Sequence, residues 1–119
     1  MSLAIAGGRV AVGVLFMLRP AAVLPRADAS SGTSVFLMRT IGIRDVVLGA
    51  GALLARVRGS SGDVRRWSAI GAASDALDTV AGVGAQRLVG RRGAFTSVVV
   101  SAPWAIAGAV GVARQRPAQ

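Results

Sequence analysis

The side chains capable of acid–base or ion-pair chemistry belong to only two residue types. All 14 basic residues are Arg, all five acidic residues are Asp, and the chain contains no His or Cys. It therefore lacks the commonest general base, any thiolate nucleophile and the usual ligands of zinc and iron–sulfur sites. We predict no catalytic, cofactor-binding or metal-binding residue, and a protein that is not an enzyme.

Six ionisable residues lie inside apolar stretches, where a charged group is costly. On insertion scales, an Arg or Asp at the centre of a membrane helix costs about 2.5–3.5 kcal/mol. The set holds three Arg and three Asp, so its formal charges sum to zero, as mutual pairing requires. The candidate intramembrane charge network consists of Arg9, Arg39, Arg44, Asp45, Asp75 and Asp78.

Spacing predicts which of these groups meet. Asp75 and Asp78 are three residues apart and share one face of a helix. Gly71 and Gly82 fall on the same stripe, and glycines let a neighbouring helix approach closely. The two carboxylates are therefore expected to face another helix.

The arginines are the expected partners of these carboxylates. We predict that Arg9 or Arg44 reaches Asp75 or Asp78 across helices, while Arg39 extends to the headgroup region. Three interpretations remain open: a structural ion-pair network, a substrate- or proton-handling site, and a contact with a larger complex.

The elements that position these residues are apolar. Hydrophobic residues make up 53% of the chain, mean hydropathy is +0.60, and charged residues make up 16%, against about 25% in soluble domains. A membrane span needs about 20 mostly apolar residues. We predict an all-α fold, a four-transmembrane-helix bundle with short basic loops, forming a single domain over 1–119. The predicted helices are 3–18, 35–55, 67–83 and 94–113.

Residues at the ends of the predicted helices set their boundaries. Pro20 interrupts the chain after the first helix, and Ser34 is a candidate N-cap for the second. Trp67 and Trp104 are expected to be interface anchors, since Trp is enriched at membrane–water interfaces. Loop arginines weakly favour both termini in the cytoplasm.

The net charge of +9 raises the question of nucleic-acid binding. The arginines lie mostly between apolar runs, and at 4% aromatic residues there is no platform for stacking bases. The basic loops are better explained by the positive-inside rule and by anionic lipid headgroups. We expect no nucleic-acid partner.

The second and third predicted helices carry a family resemblance. The run from Arg39 to Gly49, Trp67, and the run from Ser74 to Asp78 resemble a family of small actinobacterial four-helix membrane proteins without established enzymatic activity. In size and span number the chain is also similar to the accessory membrane subunit of mycobacterial MCE lipid-import complexes. This resemblance implies a non-catalytic accessory or regulatory subunit of a larger lipid-transport complex.

The alternative is a small oligomeric transporter. Chains of this size and span number resemble small multidrug-resistance exporters, which use an intramembrane Glu in the first helix, where this chain has Arg9. Asp75 or Asp78 would then be the coupling group. Both hypotheses predict a multi-pass protein of the plasma membrane, with the bilayer and either a larger complex or further copies of the chain as partners.

Overall fold

The structure is a computed structural model, and it describes residues 1–84 together with the helical residues Ile106 and Val110. The described part of the chain is helical and has no strand, so the predicted all-α class is confirmed. Apart from Ile106 and Val110, the predicted helix 94–113 lies outside these residues. The helices are α1 (Leu3–Leu18), α2 (Pro20–Val23), α3 (Arg26–Ala29), α4 (Gly32–Val57) and α5 (Ser61–Gly84).

The chain divides into two compact units. One is Ser2–Ser60, which contains α1 to α4. The other is Met1 with Ser61–Gln119, and α5 is its described helix. The single domain expected over 1–119 stays a prediction.

Helix α1 spans the residues predicted for the first helix. The Ser2 hydroxyl accepts a hydrogen bond from the Ile5 N–H at 3.2 Å and caps the helix start. At the other end the Arg19 N–H donates to the Leu15 carbonyl at 2.8 Å. Pro20 then begins α2, where its missing N–H carries no penalty.

Helix α4 starts earlier than predicted. The cap is Ser31, whose hydroxyl accepts from the Ser34 N–H at 3.3 Å, so the prediction of Ser34 as the N-cap was wrong by one turn. Successive hydroxyl residues offered several cap positions. The helix ends before Gly59, whose φ of 71° lies in the left-handed region that terminates many helices.

Helices α1 and α4 pack antiparallel at backbone contact. A Cβ on Gly13 would lie 2.6 Å from the Gly42 carbonyl oxygen, and a Cβ on Gly49 would lie 2.7 Å from the Ala6 carbonyl oxygen. As residue numbers rise along α4, the contacted residues on α1 fall, which defines the antiparallel direction. Larger side chains at these positions would force the helices apart.

Among the helices that the structure describes, none combines the length and the apolar character needed to cross a membrane.

The close approach of α1 and α4 predicts that alanine at Gly13 destabilises the protein. Its added methyl group would overlap the Gly42 carbonyl, and overpacking of this kind costs about 1–3 kcal/mol. Gly7 is the matched control in the same helix, because a Cβ there meets nothing within 4 Å. Thermal unfolding in mild detergent should show a lowered midpoint for Gly13→Ala and an equal or raised midpoint for Gly7→Ala. Equal effects of the two substitutions would contradict the packing.

Candidate functional site

A buried ion pair joins α1 to α4. An Arg9 guanidinium nitrogen lies 3.3 Å from Asp45 Oδ1, and the two side chains are 3% and 11% exposed. A charge removed from water needs a partner of opposite charge and hydrogen bonds to its polar atoms. Asp45 supplies the opposite charge and accepts a hydrogen bond from one guanidinium nitrogen of Arg9, so this pair is the centre of the candidate site.

Small residues bracket the ion pair on both helices. On α1, Arg9 lies three residues after Ala6 and four before Gly13. On α4, Asp45 lies three residues after Gly42 and four before Gly49. The two backbone contacts, Gly13 with Gly42 and Ala6 with Gly49, therefore lie on either side of the charges. The small residues therefore let the two helices approach closely on either side of the charges.

Arg44 shares the same carboxylate oxygen. Its guanidinium nitrogen lies 3.4 Å from Asp45 Oδ1, and its side chain is 30% exposed. Asp45 thus accepts hydrogen bonds from a buried and a half-buried guanidinium. Two arginines and one aspartate give this group of three a formal charge of +1, and the arrangement stabilises a helix pair.

In the other unit, α5 carries the second part of the predicted network. Gly71, Asp75 and Gly82 are buried, and Asp78 is half-buried, so the stripe expected from spacing is a largely buried face. Asp75 is 2% exposed, and its carbonyl oxygen accepts a hydrogen bond from the Thr79 hydroxyl at 2.8 Å. Asp75 is therefore the most enclosed acidic group that the structure describes.

The described partner of Arg9 is Asp45, whereas the sequence predicted Asp75 or Asp78. Arg9 and Arg44 both meet Asp45, on the helix that carries Arg44. Pairing of either arginine with Asp75 or Asp78 would join residues of the two units, and it stays a prediction. The overlooked signal is the seven-residue spacing of Ala6 with Gly13 and of Gly42 with Gly49, each enclosing a charged residue.

The remaining residues singled out from the sequence are Arg39, Trp67 and Trp104. Arg39 is exposed on α4, and Trp67 is half-buried in the second turn of α5. Trp104 lies outside the described residues. Within residues 1–84, no cluster of three acidic, His or Cys side chains could hold a metal ion.

Comparison of the chain with protein-family models, with curated proteins and with solved structures finds no match. The geometry of the described residues therefore carries the functional argument.

The ion pair predicts a large cost for Asp45→Asn. The substitution removes the Asp45 carboxylate from the buried Arg9, and breaking a buried pair costs about 3–5 kcal/mol. Asp63→Asn is the control, because the Asp63–Arg66 pair is exposed and such pairs contribute about 0–1 kcal/mol. Chemical unfolding should separate the two variants clearly. The double variant Arg9→Leu with Asp45→Leu should lose less stability than the sum of the losses in the two single variants Arg9→Leu and Asp45→Leu. A loss equal to that sum would contradict the pairing.

Proposed function

We propose that the chain is a multi-pass integral membrane protein of the plasma membrane, a four-transmembrane-helix bundle that acts as a non-catalytic accessory or regulatory subunit of a larger membrane complex. The observation that supports membrane placement is an inverted distribution of side chains. In the described helices, Arg9, Asp45 and Asp75 are buried beside small residues, and many large apolar residues are exposed, although Phe16, Leu48 and Val64 are buried.

The buried positions of the long helices are unusual for a water-soluble bundle. They include Arg9, Asp45 and Asp75, with Gly and Ala beside them. A soluble helix instead buries its large apolar residues and exposes its charges. Close contact of small residues, with polar groups facing the interior, is the arrangement that membrane helices use.

The exposed positions supply the other half of the argument. Leu18 is 73% exposed, Phe36 67% and Val57 81%. Further large apolar side chains are exposed along α4 and α5, where water would be a poor solvent for them. Contact with lipid chains would remove this cost.

The ion pairs reduce the cost of placing α1 and α4 in a bilayer. Charged groups within membrane segments face the bundle interior and pair with one another. Arg9, Arg44 and Asp45 follow this pattern. Because these three residues engage one another, their chemistry supports helix pairing, which favours a structural subunit over a catalytic one.

The partner we propose is a larger membrane complex, and a lipid-transport complex is the first to test, following the family resemblance of the second and third predicted helices. We expect neither a cofactor nor a nucleic-acid partner. Self-association is the alternative source of contacts for the exposed apolar faces.

We predict that a tagged copy of the chain remains in the membrane pellet after an alkaline carbonate wash and brings down stoichiometric membrane proteins in mild detergent. The tagged Gly13→Ala variant is compared with it, because its disturbed α1–α4 packing should reduce recovery of the partners. Release of the chain by carbonate would refute membrane insertion. Recovery of the chain alone from native membranes would refute the accessory role.

A second candidate function is a small oligomeric transporter, and the burial of Asp75 on α5 favours it specifically. A buried carboxylate within a membrane segment can couple proton binding to substrate movement. An accessory subunit predicts that liposomes containing the purified chain take up a lipophilic dye cation no faster than empty liposomes when a pH gradient is imposed. Uptake that is lost in Asp75→Asn or Asp78→Asn and retained in Asp63→Asn would instead establish the transporter.

A further inference from the structure

We propose that one end of the Ser2–Ser60 unit binds the headgroups of anionic phospholipids through Arg19, Arg26 and Arg39. This inference rests on the membrane placement proposed above and adds a ligand class and a location. The site, called here the arginine end, is formed where α1 finishes, α2 and α3 turn the chain, and α4 begins.

The antiparallel register brings Arg39 to this end. A Cβ on Gly42 would lie 2.6 Å from the Gly13 carbonyl oxygen and 3.0 Å from Met17, so Gly42 lies level with this part of α1. Arg39 precedes Gly42 by three residues, or about 4.5 Å along the helix axis. It therefore lies level with the last turn of α1, near Leu18. The part of α4 before Arg39 extends beyond the end of α1.

The connecting segment supplies the other two arginines. Arg19 follows the last residue of α1, and Arg26 is the first residue of α3. Both α2 and α3 pack against α4, so the segment stays at the same end of the helix pair as Arg39. The three arginines come from the α1–α2 junction, from α3 and from α4, and all three lie at the same end of the helix pair.

The charge at the arginine end favours an anion. All three arginines are exposed, and within the described part of the chain none of them forms an ion pair. Asp28, also exposed, is the acidic residue of this segment. Three positive charges and one negative charge leave a formal excess of +2.

The apolar neighbours identify the anion as a lipid headgroup. Leu18 and Phe36, both mostly exposed, lie beside these arginines in the chain. Leu37 is exposed as well. A surface with guanidinium groups next to large apolar side chains matches the boundary between lipid phosphates and acyl chains. Arginine is suited to this contact because its planar fork donates two hydrogen bonds to one phosphate.

The absence of cysteine from the chain allows a local test. In Ala27→Cys, a fluorophore attached within α3 lies at the arginine end, so the nearest lipids contribute most to its energy transfer. The full-length labelled chain is placed in vesicles containing equal amounts of phosphatidylcholine and phosphatidylglycerol. Energy transfer is then measured to headgroup-labelled phosphatidylglycerol or, in a parallel sample, to headgroup-labelled phosphatidylcholine.

We expect phosphatidylglycerol to be enriched around the label, with up to about fivefold in affinity contributed by each arginine. Arg19→Gln, Arg26→Gln and Arg39→Gln together should abolish the enrichment. The matched control removes the same charge elsewhere, by Arg56→Gln, Arg58→Gln and Arg65→Gln, and should retain the enrichment at Ala27.

Three results would overturn the proposal. Equal transfer to both lipids would show no headgroup preference, and equal loss in the two triple variants would reduce the effect to net charge. A preference abolished by inorganic phosphate at constant ionic strength would assign the site to free phosphate. Failure of the wild-type chain to enter vesicles would refute the membrane function itself, whereas insertion without lipid preference would refute only the headgroup site.

Discussion

A guanidinium enclosed between two helices must find a carboxylate, because an unpaired buried charge costs more than the folded state of a small protein can support. Arg9 is enclosed in this way, and it forms an ion pair with Asp45 on the facing helix. The rest of the Ser2–Ser60 unit follows from that requirement. Small residues flank both charges and let the helices come close at this point, and Arg44 joins the same carboxylate from the helix that carries Asp45.

The same requirement accounts for the inverted side-chain distribution. Gly, Ala and an ion pair occupy the contact between α1 and α4. Phe16 and Leu48 are also buried, but many other large apolar side chains of the two helices are exposed. In water that arrangement would lose most of the hydrophobic contribution to folding. In lipid the outward side chains are already well solvated, and close packing with internal hydrogen bonds provides the association energy. The internal chemistry and the proposed solvent of the protein are therefore consistent with each other.

Some features encoded within one helix were predictable from the sequence, whereas the N-cap of α4 and the features that depend on two helices were not. The apolar run before Arg19 and Pro20 gave the bounds of α1, and the spacing of Gly71, Asp75 and Gly82 gave the buried face of α5. The pairing of Arg9 with Asp45 depends on the register of α1 against α4, which the periodicity of a single helix does not contain. Charge balance within the set of six ionisable residues was too coarse a guide, because it could not distinguish among the possible partners.

Register is also where the ion pair contributes something that small residues cannot. The α1 pair Ala6 and Gly13 and the α4 pair Gly42 and Gly49 have the same seven-residue spacing. A slip of seven residues would still place one small residue opposite another, so close packing alone permits more than one alignment. It would also move Arg9 about 10 Å along the helix axis from Asp45. The buried charges thus make one register far more favourable than its neighbours, a use of buried polar groups known from coiled coils. By fixing that register, the pair also determines that Arg39 lies level with the end of α1.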